Sequence, residues 1–545
     1  MLPFSILNSI LYLLGAGVAM MVFSDIRMYL KLNKLKSKKG VKVFFFPRFY
    51  QLMKISLDMR KDFYRMYKHV FTQVKDKDWI VIPSPEKSGT RTFYPRSERA
   101  IKEYFKLEVK NFERFNLTGR KDLLGSVFAS NEEGLTRRGF FSKLFHIENM
   151  KKMLPGLRDI IREHIAQLKA KVQIRAAGPN TEEGVIVDIK EEFMVDLVDD
   201  ISSYLVLGPT TRNSVMVEGQ TYVKKTKELF SCFVEIMISP VNMLTFGLAR
   251  KYGFDPAVNK MKRINSALYE ATAQEYKTLF NEISQEKDSD QSKLNTVINL
   301  LVKHNKEAEV LEKQSQEDGE SMKEITGKEQ YLNKPLSLDR IVDMILVFLF
   351  GGSDTSFNAT TTTICLLSKN REIRERVVEE IFKDPKIQSS DYTFEDLDSK
   401  RILGACMKES LRLFSPAPIG FWRVATKPTK ICDVTLEKGD LVQVSYISQS
   451  LDADVYKRRM QYNIERFLQE GKSEDYPKIK KTQYLPFSLG LRSCQGKNLA
   501  EMILKTVLTE LLREFKMNGF LGDSTHFKED PGHGFADNRI RLQIR

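Results

Sequence analysis

The sequence has few cysteines, and none of them is spaced to bind a metal with a neighbour. Five cysteines occur among 545 residues, at positions 232, 365, 406, 432 and 494, and no Cys-x-x-Cys pair is present. This pattern excludes a disulfide framework and argues against a structural zinc site. The cysteine content is typical of a protein from a reducing compartment.

The charge is unbalanced, although the sequence lacks a nucleic-acid recognition motif. Basic residues number 86 and acidic residues 71, which gives a formal charge of +15. Such an excess favours an acidic partner, whether nucleic acid, anionic lipid or an acidic protein face. Because the basic residues are scattered and no recognition motif interleaves them with aromatics, we expect no nucleic-acid binding. No flavin- or nicotinamide-binding domain and no internal repeat is evident.

The start of the chain lacks charge. Residues 2–23 are mostly apolar and long enough to span a bilayer. Basic residues only follow this stretch, which is unlike a cleaved signal peptide and places the rest of the chain in the cytosol by the positive-inside rule. We therefore predict a membrane anchor over residues 1–23 and a basic linker over residues 24–48. A buried core helix is the alternative for the apolar stretch.

The remaining residues, 49–545, are predicted to form one mainly α-helical domain with small β-sheets. Strand patterns occur at Trp79–Pro83 and Val185–Asp188, and a charged insertion covers about residues 304–334. A long helix begins near Ser337 and runs to about residue 368. Because it is apolar on nearly all faces, we expect it at the centre of the fold.

The C-terminal third is predicted to contain further helices and short strands. The helices are expected near residues 370–383, 400–414 and 498–515, and the strands near residues 419–424 and 441–447. The tail, residues 531–545, has the glycine-rich turn and the alternation of a β-hairpin.

One cysteine lies in a glycine-bracketed loop before the last predicted helix. A thiolate there could ligate a metal, and the helix N-terminus would stabilise its charge; a buried structural cysteine is the alternative. The loop resembles the haem-binding signature of the cytochrome P-450 family, Phe-x-x-Gly-x-Arg-x-Cys-x-Gly. The resemblance implies a cytochrome P-450 fold and a bound haem b (iron protoporphyrin IX). Cys494 would be the axial iron ligand and Arg492 would bind a propionate; the signature positions are Phe487, Gly490, Arg492, Cys494 and Gly496.

The long helix contains a second motif, Gly351-Gly352-Ser353-Asp354-Thr355-Ser356. Two glycines weaken a helix, so a kink that opens a ligand groove is one interpretation, and packing against a neighbour is the other. The segment resembles the oxygen-activation motif of the same family. The resemblance implies that Thr355 steadies dioxygen through hydrogen bonds and that Asp354 helps to deliver protons.

Three charged residues resemble the structural core of the family. Glu409 and Arg412 are three residues apart on one helix face. Such a pair is usually a surface salt bridge of little value, but the apolar neighbours here indicate burial. The resemblance implies that Arg466 joins them, although this chain has Ile464 where the family has proline.

Two further arginines resemble haem-propionate ligands. Arg423 matches the strand arginine of the family, and Arg138 matches the arginine of the Trp-x-x-x-Arg motif, whose tryptophan is replaced here by Gly134. An isolated surface arginine is the alternative for Arg423. The residues expected to line the substrate pocket are small or apolar: Phe348, Gly351, Gly352, Ile419 and Phe421.

The resemblance covers about residues 50–545 and implies a haem-thiolate monooxygenase. It would insert one oxygen atom of O2 into a hydrophobic substrate, using electrons from a separate NADPH-dependent flavoprotein reductase. The uncharged start and the lack of an Arg-rich presequence favour a single-pass protein of the endoplasmic reticulum membrane that faces the cytosol. The alternatives are a haem-thiolate isomerase or dehydratase that uses no O2, a haem-binding sensor or carrier without turnover, and a membrane-tethered structural protein.

Overall fold

The structure is a computed structural model. It describes residues 22–45, 71, 74, 76–84, 90–115, 130–178, 183–208, 216–237, 252–285, 296–317, 334–522, 527–528, 534–535 and 537–545. Most of the predicted anchor, residues 1–21, and the end of the predicted insertion, residues 318–333, lie outside this description. Within the described residues, one helix, Leu338–Lys369, is long and apolar enough to cross a membrane.

Most described residues are helical. The helices are α1 (residues 22–36), α2 (Glu98–Asn111), α3 (Asn131–Phe140), α4 (Ile147–Ala176), α5 (Val195–Val206), α6 (Tyr222–Met237), α7 (Pro256–Gln285), α8 (Val297–Glu317), α9 (Leu338–Lys369), α10 (Arg371–Phe382), α11 (Pro385–Gln388), α12 (Phe394–Asp398), α13 (Arg401–Leu413), α14 (Tyr446–Ser450), α15 (Glu465–Leu468) and α16 (Lys497–Glu514). A 3₁₀ turn at Phe141–Phe145 extends α3, and a π turn at Lys190–Met194 precedes α5.

The long helix α9 lies in the core, as its sequence predicted. Ser337 precedes it in extended conformation, and Asp339 lies in the first turn, where a carboxylate complements the helix dipole. Ile341, Ile345 and Leu349 are almost completely buried. Because α5, α6, α7 and α16 all pack against α9, this helix forms the axis of the fold and continues without interruption through its two glycines.

The strands form small sheets. Their bounds are β1 (Val41–Val43), β2 (Trp79–Pro83), β3 (Arg91–Pro95), β4 (Phe112–Arg114), β5 (Val185–Asp188), β6 (Met216–Val217), β7 (Gln220–Thr221), β8 (Arg423–Ala425), β9 (Thr429–Ile431), β10 (Val434–Leu436), β11 (Leu441–Val442), β12 (Phe515–Phe520), β13 (Phe527–Lys528), β14 (Gly534–Phe535) and β15 (Arg539–Ile544). The largest sheet has six strands in the order β1-β2-β3-β11-β8-β4, and β12-β15-β5 form a second sheet. The predicted strands β2 and β5 are thereby confirmed.

The predicted basic linker is partly folded into the domain. Strand β1 pairs in parallel with β2, with Val41 opposite Trp79. Helix α1 buries Met28, Leu32 and Leu35, which lie on one face at i, i+4 and i+7. Residues 24–45 are therefore part of the folded domain and do not form the predicted linker. The linker was predicted because basic side chains alternate with the apolar ones on α1.

Two other predictions are corrected. The predicted charged insertion is helical up to Glu317, since α8 buries His304 and Ala308, and the side chain of Asn305 accepts from the Leu336 N–H at 2.8 Å. In the described part of the predicted tail, β14 pairs antiparallel with β13, and β14 and β15 are not paired with each other. Strand β15 instead lies between β12 and β5, where Ile540 and Leu542 are completely buried.

Candidate active site

The cysteine loop is shaped by backbone hydrogen bonds and one glycine. The Cys494 N–H donates to the Phe487 carbonyl at 2.8 Å, and the Ser493 N–H donates to the Gly490 carbonyl at 3.2 Å. Gly490 has a φ of +80°, and a Cβ atom there would lie 3.3 Å from the Phe105 ring. The loop therefore requires glycine at position 490.

Cys494 differs from the other cysteines in exposure. All five cysteines are described, and Cys494 alone is exposed, on the wall of a cavity of about 620 Å³. Its loop leads through Gly496 into α16. The thiol is accessible from the cavity but surrounded by protein atoms, and this desolvation raises the pKa of Cys494, while the Gly496 N–H and the Arg138 charge lower it. An iron ion would stabilise the thiolate further.

Arginines from three separate elements converge on the same cavity. Arg138 comes from α3, Arg423 from β8 and Arg492 from the cysteine loop, and all three line the cavity wall. Arg138 donates to the Ser493 carbonyl at 2.7 Å. Burial, aided by the charge of Arg423, lowers the pKa of Arg492 to about 10. This excess of buried positive charge suits acidic groups of a ligand.

Gly134 lies in the first turn of α3, and the Arg492 side chain lies against it. A Cβ atom at position 134 would be 2.0 Å from Nη1 of Arg492. That nitrogen donates to the Ser130 carbonyl at 3.1 Å, just before the first turn of α3. Because Gly134 has no side chain, the Arg492 guanidinium can occupy this position.

The predicted structural residues form a separate buried cluster. Both nitrogens Nε and Nη2 of Arg412 donate to the Glu409 carboxylate at 2.7 Å. Arg466 donates to the same carboxylate at 3.2 Å, and the Asn463 N–H does so at 3.0 Å. Four N–H donors from three residues thus compensate one buried charge, and this cluster joins α13 to the segment before the cysteine loop.

The glycines and polar residues of α9 face the cavity. A Cβ atom built at Gly351 or Gly352 meets no atom within 4 Å, which argues against tight packing there. The Thr355 hydroxyl donates to the Gly351 carbonyl at 2.8 Å. Asp354 is half-buried and also lines the cavity. The motif therefore places a hydroxyl and a carboxylate at a cavity wall.

The cavity collects most of the predicted site residues. Phe348, Ile419 and Phe421 line it together with the glycines of α9, and so do Phe487 and Gly496. Gly490 shapes the loop instead. Three charged lining residues were not predicted, namely Glu108 on α2, Arg114 on β4 and Glu501 on α16. None was singled out by a motif, and only the tertiary fold brings them to the cavity.

The donor set of the cavity suits a haem. One accessible thiol can ligate iron, several arginines can bind propionates, and the rest of the lining is largely apolar. The chemistry of the residues present therefore fits a haem with one thiolate ligand.

Comparisons with known proteins agree with this geometry. A family model described as Cytochrome P450 matches residues 88–543. The chain is 33% identical over 196 residues to "Putative cytochrome P450 CYP13A2" of Caenorhabditis elegans, covering 36% of this chain and 37% of that protein. It is 33% identical over 185 residues to "Cytochrome P450 26A1" of Danio rerio, covering 33% and 36%. These alignments thus span little more than a third of each relative.

A solved structure shows the fold over a larger part of the chain. The "Retinoic acid bound cyanobacterial CYP120A1" superposes with a TM-score of 0.63, covers 86% of this chain and 92% of its own, and is 20% identical. The matched family model spans most of the present sequence. The chain belongs to the cytochrome P450 family, and this membership implies a haem cofactor.

Proposed function

We propose that the protein is a haem-thiolate monooxygenase that inserts one oxygen atom of O2 into a hydrophobic organic substrate. The observation that carries the proposal is the position of Cys494, the one exposed cysteine, on a cavity that Asp354 and Thr355 also line. When bound, a haem with a thiolate ligand supplies oxygen activation, because the thiolate pushes electron density towards the iron and favours O–O cleavage.

The residues around Cys494 would hold the cofactor. Cys494 would provide the sulfur ligand, and the Gly496 N–H and the Arg138 charge favour its anionic form. Arg138, Arg423 and Arg492 would bind the propionates by charge-assisted hydrogen bonds. The cluster of Glu409, Arg412 and Arg466 would keep the neighbouring segments in place without touching the cofactor.

The polar residues of α9 would donate and transfer protons to the cavity. The Thr355 hydroxyl, which is bonded to the Gly351 carbonyl, can rotate to donate into the cavity. Asp354 is half-buried, so its carboxylate can take up a proton at the solvent side and pass it towards the cavity. The largely apolar wall excludes water from the remaining space.

The lining also supports a hydrophobic class of substrate. Phe348, Ile419 and Phe421 offer apolar contacts, and Gly351 and Gly352 leave open space beside them. A hydrophobic molecule with few polar groups fits this wall. A turnover screen in which only polar, water-soluble compounds react would contradict this assignment.

The first test is the carbon monoxide difference spectrum of the dithionite-reduced protein, measured beside Cys494→Ser. We expect a strongly red-shifted Soret band that is lost in the variant. A matched control is Cys432→Ser, since Cys432 is buried away from the cavity lining, and this variant should keep the band. A haem protein with the ordinary histidine-type band would refute the thiolate assignment.

We propose that electrons come from a separate NADPH-dependent flavoprotein reductase. The net charge of +15 would favour an acidic reductase surface. The rate of haem reduction by such a reductase should fall as salt screens the attraction. A rate independent of ionic strength would argue against charge-guided docking.

We also propose a single-pass anchor in the endoplasmic reticulum membrane, with the catalytic domain in the cytosol. The apolar, uncharged residues 2–23 support it, and so does an exposed apolar stripe on α1 formed by Val22, Phe23, Ile26 and Leu30. Carbonate extraction should leave the full chain in the membrane pellet. A variant lacking residues 1–21 should move largely to the soluble fraction, and full extraction of the intact chain would contradict the anchor.

A further inference from the structure

A buried glutamate lies among the arginines of the cavity. Glu108 is in the penultimate turn of α2, on the same face as Tyr104. Its Oε1 atom is 2.8 Å from Nη2 of Arg423, and each of the two side chains is only 5% exposed. This ion pair links α2 to β8 inside the wall of the cavity.

The surroundings of Glu108 are strongly basic. Arg114 and Arg492 also act on its carboxylate electrostatically, and both line the same cavity. Arg423 has a second bond, because its Nη1 donates to Asn131 Oδ1 at 3.3 Å. Glu108 and Asn131 together therefore fix the orientation of the Arg423 guanidinium.

The second carboxylate oxygen points towards the cysteine loop. Oε2 of Glu108 is buried and has no hydrogen-bond partner among the described residues. A Cβ atom built on Gly490 would lie 3.4 Å from it. Glu108 thus pairs with an arginine on one side and lies beside the loop of Cys494 on the other.

We propose that Glu108 is a positioning residue for the haem, which orients Arg423 and offsets the positive charge of the arginines so that it lowers the reduction potential of the bound haem. This inference rests on the proposed haem-thiolate function. To that function the inference adds a negatively charged side chain, Glu108, beside the arginines that would bind the propionates.

The physical argument is one of charge in a poorly solvated site. The arginines of this cluster repel one another. Burial, followed by the positive charges of Arg492 and Arg423, lowers the pKa of Arg114 well below its ordinary value. Burial raises the pKa of Glu108, whereas Arg423, Arg114 and Arg492 favour its charged form. A buried negative charge stabilises the ferric state over the ferrous state, because Coulomb interactions are strong where water is excluded.

The test is a spectroelectrochemical titration of the haem-loaded protein and its Glu108→Gln variant. Glutamine keeps the shape and removes the charge, so the reduction potential should rise. The matched control is Glu103→Gln on the same helix. Glu103 bonds to Arg99 and to the Cys432 N–H and is not part of the cavity lining, so its loss should leave the potential unchanged.

A second comparison tests whether Glu108 acts through Arg423. In an Arg423→Gln background, the Glu108→Gln exchange should shift the potential by a smaller amount than in the wild type. Equal potentials for the wild type and Glu108→Gln would overturn the proposal, and so would an equal shift in Glu103→Gln.

A third variant covers the possibility that Glu108→Gln does not fold. Glu108→Asp keeps the charge but withdraws it from Arg423, so haem transfer to apomyoglobin should accelerate. An unchanged transfer rate would refute the positioning role. If the wild-type protein bound no haem, the proposed function itself would fail. If it bound haem but Glu108→Gln left the reduction potential unchanged, only the role of Glu108 would fail.

Discussion

The guanidinium of Arg492 occupies the space that a side chain at position 134 would need, and Gly134 leaves that space free. A Cβ atom at position 134 would lie 2.0 Å from Arg492 Nη1. The absence of a side chain at position 134 permits Arg492 to donate to the Ser130 carbonyl and to approach the N-terminus of α3.

We expect Gly134→Ala to displace Arg492 and to accelerate haem loss. The variant loses the bond to Ser130, about 1 kcal/mol, and gains up to about 1 kcal/mol of helix propensity. The control is Gly139→Ala on the same helix, where an added Cβ meets nothing within 4 Å and only the gain applies. Chemical denaturation should therefore find Gly134→Ala about 1 kcal/mol less stable than Gly139→Ala. Equal stability and equal haem retention would show that Arg492 relocates without consequence.

The buried cluster around Glu409 should dominate local stability. Glu409 and Arg412 are both fully buried, so Glu409→Gln leaves Arg412 and Arg466 without a counter-charge. We expect a loss of about 3–5 kcal/mol in the free energy of unfolding, measured in urea. The control Glu375→Gln breaks the exposed pair with Arg371 and should cost at most about 1 kcal/mol. Similar losses in both variants would mean that burial adds nothing to the Glu409 pair.

Local sequence signals were sufficient for much of the site. The loop of Cys494 and the Glu409 pair each carry several constrained residues within a short stretch, and each forms a local structure that its spacing indicates. At the two glycines of α9, by contrast, the helix continues and no neighbour packs tightly. The long helix α9 was predictable for the same reason, since its apolar residues cover nearly every face.

The rest depends on contacts between distant segments. Glu108 and Arg114 belong to no motif, and they reach the cavity only because β4 pairs with β8, which places Arg114 opposite Arg423. Helix α1 was not predicted because lysines lie between Met28, Leu32 and Leu35 in the sequence and make the apolar face of the helix less evident. Strand β15 was misassigned because alternation indicates a strand but does not identify its partner.

Thiol labelling should distinguish Cys494 from the other cysteines in the folded, haem-free protein. Cys494 is exposed and the other four are buried, and burial raises the pKa of Cys232 to about 11 and of Cys406 and Cys432 to about 12. Iodoacetamide should therefore modify one thiol, identified by peptide mass mapping.

The pH dependence of this labelling follows from the thiolate being the nucleophile. Because desolvation raises the pKa of the Cys494 thiol above its ordinary value, its labelling rate should keep rising with pH through the ordinary thiol range near about pH 8.5, without a plateau. A plateau below pH 8 would indicate a thiol pKa that is lowered instead. Haem should protect Cys494, and labelling that persists in the haem-loaded protein would contradict its assignment as the iron ligand.

Gly351 should limit the size of the ligands that the cavity accepts. A Cβ atom there meets nothing within 4 Å, and the residue lines the cavity, so Gly351→Leu extends a side chain into the space for substrate. Leucine is a good helix former, and the exchange should not lower the free energy of unfolding. Spectral titration should show bulky hydrophobic ligands binding at least tenfold more weakly, about 1.4 kcal/mol, while small ligands are less affected. Gly139→Leu makes the same exchange outside the cavity lining and should leave all affinities unchanged. If Gly351→Leu bound large and small ligands as the wild type does, the space beside α9 would not be part of the substrate site.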